Sequence, residues 1–443
     1  MTLRHRRILF YSLVLVFVFA GVGAALYAQG WRLDWGTFAA NKVGAIYVRT
    51  APTDADIFLN DKPIRRTFSF FQTGALVNDL FPKDYRLTIT KDGYEPWRRR
   101  LTVKPAVVAT AKYAVLIPKN STIANPGPAS DFRIIRNEIA RVAPEGKIIW
   151  RDRTLPGNKI IGATDDGNRL LSLDEAKHQY FWNDLAAPTS TALAPIVAKT
   201  GLTAAERKAA TLLVDPPDSS RVFIRLPRTL LRLDLQSGRL TTLGTASSTK
   251  TIGEISSSRN RTAWITFHET EQSSELFVYV NSRNVLEETG IPPIAGRTVK
   301  LEWLPNGLLA ILQNNGTLYL YDPGRRDLSP RANDVKDFVA ATSGEFLAAL
   351  ENRSLEIFSL TSTDYWRFNL PSIDTVRKLS WYADHQHLFV HYPDRVALLD
   401  FEDTSLETFQ TAAATSKAEY DLNENALYFL NDERVMKLVF PGR

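Results

Sequence analysis

The chain contains no cysteine. Disulfides, thiolate nucleophiles, cysteine zinc sites, iron–sulfur clusters and an acylated lipoprotein cysteine are thereby excluded. Histidine is scarce, 6 in 443 residues, and methionine scarcer, with 2. The sequence also lacks a glycine-rich phosphate loop, a G-x-S-x-G elbow, an H-E-x-x-H pair and an EF-hand loop. Asp165-Asp166-Gly167-Asn168 puts carboxylates beside a glycine but lacks the later Glu of a calcium loop, so it reads as a hairpin turn. Paired acids such as Glu402-Asp403 are common on surfaces. His268 has no Ser or Asp constellation around it for a triad. The expectation is a protein that is not an enzyme and carries no cofactor or resident metal.

The one suggestive histidine cluster is His385, His387 and His391. On a strand, residues four apart lie roughly 13 Å apart, too far for His387 and His391 to share an ion. His385 and His387 could share one with Asp384. The alternative is a β-hairpin with Asp384 and His385 in its turn.

Long uncharged apolar runs are missing everywhere except at the start. Arg4, His5, Arg6 and Arg7 precede Ile8–Ala28, an apolar stretch followed by Trp31 and Trp35. At about 1.5 Å per residue it spans a hydrocarbon core of about 30 Å. The leading arginines place residues 1–7 in the cytoplasm and the rest outside, and the tryptophans suit interfacial anchors. A cleaved signal peptide is the competing reading. Against it, the run is long and Leu26-Tyr27-Ala28 is a poor cleavage site. The expectation is a single-pass protein of the cell membrane, with residues 29–43 as a juxtamembrane linker.

At 443 residues the chain is too long for one core. Composition is ordinary for globular protein, 44% hydrophobic and 23% charged, and rich in Trp, Tyr and Phe, which favour strands. Charge is uneven. Residues 42–119 hold 14 Lys/Arg against 7 Asp/Glu, whereas residues 120–443 hold 36 against 40. A basic unit next to the membrane and a slightly acidic one beyond it do not suit nucleic-acid binding.

Residues 44–118 alternate as short strands over 44–50, 55–60, 85–90, 98–103 and 111–117, with turns at Asn60-Asp61 and Lys91-Asp92-Gly93-Tyr94. This reads as a small antiparallel β-sandwich. The segment Val48–Asp61, the run Leu80-Phe81-Pro82-Lys83-Asp84-Tyr85 and the turn Gly93-Tyr94-Glu95-Pro96-Trp97 together resemble the PEGA domain family. Two of that family's usual glycines are replaced here, by Asp54 and Lys83. The resemblance implies a cell-surface or envelope module without catalytic residues. Within it, Arg98, Arg99 and Arg100 beside Trp97 form a candidate contact for a polyanion, a cell-wall or surface polymer or lipid headgroups. The bland reading is a solvated strand face, with Arg98 and Arg100 pointing one way and Arg99 the other. Phe68, Phe70 and Phe71 form a candidate hydrophobic contact loop, unless they pack under the sheet.

Residues 119–129, KNSTIANPGPA, read as a linker. Beyond them, over 130–443, apolar strands recur from Leu231, Leu276, Leu318, Leu355, Val396 and Val435, in steps of 45, 42, 37, 41 and 39. A period near 40 with paired strands suits a β-propeller blade. One earlier unit is expected within 131–185, around Lys159–Ala163 and Arg169–Leu173, giving six or seven blades. Residues 186–210 break the period as an insertion with a short helix at Thr203-AAERKAA. Trp303-Leu304-Pro305-Asn306-Gly307 resembles the repeats of TolB-like and WD40-like propellers. A tandem of β-sandwiches is the competing fold. The fold class expected is mostly β: a transmembrane helix, a small PEGA-like sandwich and a propeller. The function expected is non-enzymatic display of the propeller for a protein or glycan partner. A glycan-acting hydrolase with carboxylates at the propeller axis, and a scaffold or sensor of an envelope complex, are the alternatives.

Overall fold

A computed structural model describes residues 3–34, 38–64 and 74–442. Trp35, Phe68, Phe70 and Phe71 lie outside the described residues. The chain is mostly β. It divides into two compact units, Met1–Ser121 with Ser405–Phe409 and Val439–Arg443, and Thr122–Thr404 with Gln410–Leu438.

The first unit begins with helix α1 (Leu3–Ala28), whose 23-residue segment Arg6–Ala28 is long and apolar enough to cross a membrane and is wholly unburied. A helix apolar on every side has no face to turn to water, so it needs a nonpolar medium or a cleavage fate. The chain leaves it through Gly30, whose positive φ of 84° suits a glycine C-cap. Arg32 then closes the helix end. Its guanidinium donates to the carbonyls of Tyr27 (2.8 Å) and Trp31 (3.0 Å), lies 3.6 Å from the Tyr27 ring centre and pairs with Asp79 at 2.9 Å. A cation there also suits the negative end of the helix dipole. Within residues 29–43, β1 (Trp31–Asp34) pairs antiparallel with β2 (Ala39–Lys42).

Seven further strands build two sheets. β3 (Gly44–Ala51) lies between β6 (Ala75–Leu80) and β9 (Val108–Val115). The second sheet runs β5 (Lys62–Pro63), β4 (Asp56–Leu59), β7 (Asp84–Thr90), β8 (Trp97–Thr102). Inward residues of both sheets, among them Ile46, Val48, Ile57, Leu87, Ile89, Trp97 and Leu101, share one core. The unit is not all antiparallel as expected, because β3 and β9 pair in parallel.

The second unit is a succession of eight antiparallel sheets among the described residues, one more than the largest number expected. Seven follow in chain order over 131–155, 159–192, 211–245, 250–295, 298–332, 335–368 and 378–413. The eighth takes three strands from the C-terminal end, Ala418–Asp421, Ala426–Asn431 and Arg434–Val439, and its fourth, Thr122–Asn125, from the start of the unit. Hydrogen bonds link each sheet to the next. Arg153 Nη1 reaches Ala187 O (2.7 Å), Asp165 N reaches Pro216 O (2.7 Å), and Ser257 Oγ reaches Asp215 (2.7 Å). Trp303 N donates to Ser256 Oγ (3.0 Å), Lys300 Nζ to Asp337 (2.7 Å), Trp381 Nε1 to Val339 O (3.1 Å) and Ala383 N to Tyr420 Oη (3.3 Å). Ile134 N on the first sheet then donates to Glu419 on the eighth (2.7 Å), so the ring closes. A closed ring of four-stranded meanders, sealed by a strand from the other end of the unit, is the architecture of a β-propeller.

The recurring strands read from the sequence are in every case the third of their sheet. Every residue of Val396–Asp400 is buried, because neighbouring sheets cover both of its faces. Residues 186–210 carry α2 (Ala194–Ala198) and α3 (Ala204–Ala209), the latter opened by a Thr203–Glu206 capping box. Aromatic side chains fill the space between sheets: Phe401 lies 4.8 Å from Trp366 and 5.3 Å from Phe346, ring centre to ring centre. Trp264 stacks on Phe277 at 5.6 Å, with Gly244 beneath its edge. A Cβ on Gly244 would stand 2.5 Å from Trp264 Cζ2. Gly244→Ala is therefore expected to destabilise the propeller by about 1–3 kcal/mol through overpacking, read as a lower urea midpoint.

Candidate anion-binding cleft

The hairpin β7–β8 sets the geometry. Its register places Arg86 opposite Arg100, Thr88 opposite Arg98 and Leu87 opposite Arg99. Alternation turns Arg86, Arg98 and Arg100 outward, where all three are exposed, and turns Tyr85, Leu87 and Ile89 into the core. Arg99 shares the inner side and is half-buried. Trp97 is also inward and only 3% exposed, so it fastens β8 to the core and presents no ring to a ligand. The sequence brought Trp97 into the candidate contact; the structure separates it from Arg98 and Arg100.

These arginines line a cavity of about 570 Å³ together with Asn60, Asp84, Tyr85 and Glu407 of the same unit. The three outward arginines thus face two carboxylates. Both acids have other engagements: Asp84 accepts from Thr102 Oγ1 at 2.6 Å, and Glu407 accepts the backbone N–H of Arg100. Asn60 accepts the Arg86 N–H at 2.9 Å and fixes the neighbouring turn. Arg86 makes one exposed ion pair, with Asp61 at 3.5 Å, of the kind worth little in water. Among the described residues neither Arg98 nor Arg100 has an ion pair. Like charges directly opposite on a sheet repel, so the Arg86–Arg100 pair is a local cost that a bound anion would relieve. Burial raises the Tyr85 phenol above its ordinary range, and its hydroxyl donates to Phe81 O at 3.1 Å.

Sequence reasoning missed Arg86. The signal was present in the alternation Tyr85-Arg86-Leu87, but only the hairpin register shows that Arg86 meets Arg100.

His385, His387 and His391 each have a different hydrogen-bond partner. His387 is buried and its Nδ1 lies 2.7 Å from Asp384. His385 is in the turn, 2.8 Å from Thr342 Oγ1, and His391 is buried, 2.8 Å from Ser380 Oγ. Among the described residues no group of three or more His, Asp or Glu is placed to hold a metal ion. Two acids on the first strands of their sheets, Glu302 and Glu419, are pushed above the usual carboxylate range by burial. Each has a partner: Lys300 stands 3.6 Å from Glu302, and Glu419 accepts the Ile134 N–H.

The fold places the second unit among β-propellers. Of the solved structures similar to it, dipeptidyl peptidase 4 of Porphyromonas gingivalis has a TM-score of 0.51 at 11% identity, over 69% of this chain and 56% of that one. An oligogalacturonate lyase in complex with manganese gives 0.46 at 12% identity, over 72% and 96%. The Cps50 (Swd1) β-propeller domain of Myceliophteria thermophila gives 0.42 at 14%, over 64% and 99%. At these identities the likeness is one of fold alone. Dipeptidyl peptidase 4 stands among these structures, so the fold by itself does not exclude catalysis. No family model and no curated protein matches the chain.

Proposed function

We propose that this chain is a non-enzymatic membrane-anchored protein of the cell envelope, with its β-units on the extracytoplasmic side. In this reading the small unit, PEGA-like in its motifs, holds an anionic polymer close to the bilayer, and the eight-bladed propeller offers a further recognition surface to a protein or glycan. The observation that carries it is the outward row of Arg86, Arg98 and Arg100 in a cleft of about 570 Å³, in the unit that also carries α1. Arg98 and Arg100 are two residues apart on one strand, roughly 6.5 Å, a spacing that suits a repeating anion better than a single charged group. A catalytic reading would need unpaired acids converging on a substrate, whereas Glu302 and Glu419 are already partnered.

The anchor and its orientation are tested by topology. Protease added to spheroplasts is expected to degrade the C-terminal region while the membrane fraction retains α1. Full protection of the C-terminal region, or release of the chain as a soluble form lacking α1, would overturn the placement.

A further inference from the structure

The propeller holds a second basic cavity, built between its third and fourth sheets. Arg221 starts the strand Arg221–Arg225, Arg232 lies within Thr229–Asp234, and Arg239 precedes Leu240–Thr245. Tyr279 and Asn284 come from the fourth sheet and the turn after its third strand. With Asp234, Ser237 and Thr241 they line a cavity of about 480 Å³.

Arg232 is the unusual member. It is 6% exposed, yet its hydrogen bonds go to neutral groups, Asn281 Oδ1 at 3.0 Å and Asn284 Oδ1 at 3.5 Å. Its guanidinium lies 5.4 Å from the Tyr279 ring centre. Asp215 acts on it through space without forming an ion pair, and Asp215 itself accepts from Ser257 Oγ at 2.7 Å. A buried guanidinium with no paired carboxylate is costly to desolvate. Arg239 also has no ion pair among the described residues. Arg221, by contrast, is already compensated, by Asp218 at 3.0 Å and Asp234 at 3.8 Å. The Asp234 carboxylate is further occupied by Ser237, whose N–H and hydroxyl donate to it at 2.9 and 2.8 Å.

Among the described residues two guanidinium charges, Arg232 and Arg239, therefore face one cavity without an ion-paired carboxylate. The cavity is much larger than a lone oxyanion needs, and its remaining lining is hydroxyl and amide. We propose that it binds an anionic sugar, a saccharide bearing a carboxylate or a phosphate. Arg232 and Arg239 take the charged group, while Ser237, Thr241 and Asn284 hydrogen-bond the hydroxyls. Forked donors suit either anion. The site deepens the reading of the propeller as a recognition surface and is independent of the cleft beside β8.

The test is calorimetry on the full-length protein in detergent with glucuronate, glucose 6-phosphate, glucose and inorganic phosphate. At least one acidic sugar is expected to bind one-to-one, more tightly than glucose and inorganic phosphate. Arg239→Gln, an exposed position, is expected to weaken it by about tenfold to a hundredfold without changing the melting temperature. Arg232→Gln is expected to abolish binding, and the Arg239 variant keeps the test decisive if that protein fails to fold. Absence of binding by both acidic sugars overturns the site. Undiminished binding by Arg239→Gln overturns the assignment of Arg239, and phosphate binding as tightly as glucose 6-phosphate overturns the sugar component. Polyanion retention by the same variants is expected to be unchanged. Its loss from the wild-type protein would count against the cleft on the small unit and not against this cavity.

Discussion

The double substitution Arg98→Glu with Arg100→Glu is expected to abolish retention of the full-length protein on an immobilised polyphosphate matrix at low salt. The wild-type cleft sets three outward arginines, Arg86, Arg98 and Arg100, against two carboxylates. Two reversals invert that balance. Exposed arginines act on a polyanion through screened long-range attraction, with a screening length of about 8–10 Å at physiological salt. The wild-type protein is accordingly expected to elute as salt rises. The reversed protein should bind at least about a hundredfold more weakly, since each reversal removes an attraction and adds a repulsion of about 1 kcal/mol. Stability should not follow. Both side chains are exposed, and such replacements usually stay within about 0.5 kcal/mol. A carboxylate at position 100 would also stand opposite Arg86, turning a like-charge pair into an attractive one. Unchanged melting with lost retention is therefore the expected pattern. Equal retention and equal salt dependence in the two proteins would sink the polymer-binding reading.

The outward row was legible in the sequence because period-2 alternation settles which side chains share a face of a strand. The same rule applied to Trp97 puts it on the face opposite Arg98, in the core, where the structure has it at 3% exposure. Only its nearness in sequence had attached it to the arginines. What alternation cannot supply is the partner strand. Arg86 joins the row through the β7–β8 register, and the parallel pairing of β3 with β9 joins segments some sixty residues apart. β6 escaped notice because Ala75-Leu76-Val77-Asn78-Asp79-Leu80 does not alternate. In the propeller, the third strands were legible because burial on both faces demands continuous apolar runs. The first sheet was missed for the opposite reason. It is completed between Asp131 and Leu155, and its third strand is only Ile148–Trp150, too short to register against a period near 40. The ring therefore holds eight sheets where the spacing gave at most seven. The cavity around Arg232 left no local trace, since its lining comes from two sheets and its meaning depends on which arginines have carboxylate partners.

Below about pH 6.5 His391 is expected to cost the propeller stability that a variant lacking this imidazole keeps. It is the last residue of the strand His387–His391, buried, and hydrogen-bonded to Ser380. Burial, helped by Lys378 opposite it, pushes its imidazole down to about 3. In the unfolded chain a histidine takes up its proton near pH 6.5. Below that value the unfolded state binds a proton that the folded state refuses, so stability falls as pH drops from about 6.5 towards 3. By pH 4 this amounts to about 3 kcal/mol, a large part of the 5–15 kcal/mol that typically holds a domain together. At the other end of the same strand His387 works with the opposite sign. Burial disfavours its charge, but Asp384, Asp400 and Glu402 outweigh burial and raise it. Its contribution is complete below pH 6.5 and is lost as pH rises through its folded value, so it adds nothing to the acid-side fall. Between pH 7.5 and 4 the wild-type protein is thus expected to lose about 3 kcal/mol relative to His391→Gln, which keeps an amide within reach of Ser380, read from the difference between their urea midpoints at each pH. Carboxylates whose charge is favoured in the fold, such as Asp184 and Asp234, and those that burial pushes up and that oppose the histidine, Asp215 to about 6 with Glu302 and Glu419, titrate alike in both proteins and cancel from the difference. Parallel declines in the two proteins would show that His391 does not carry the acid sensitivity.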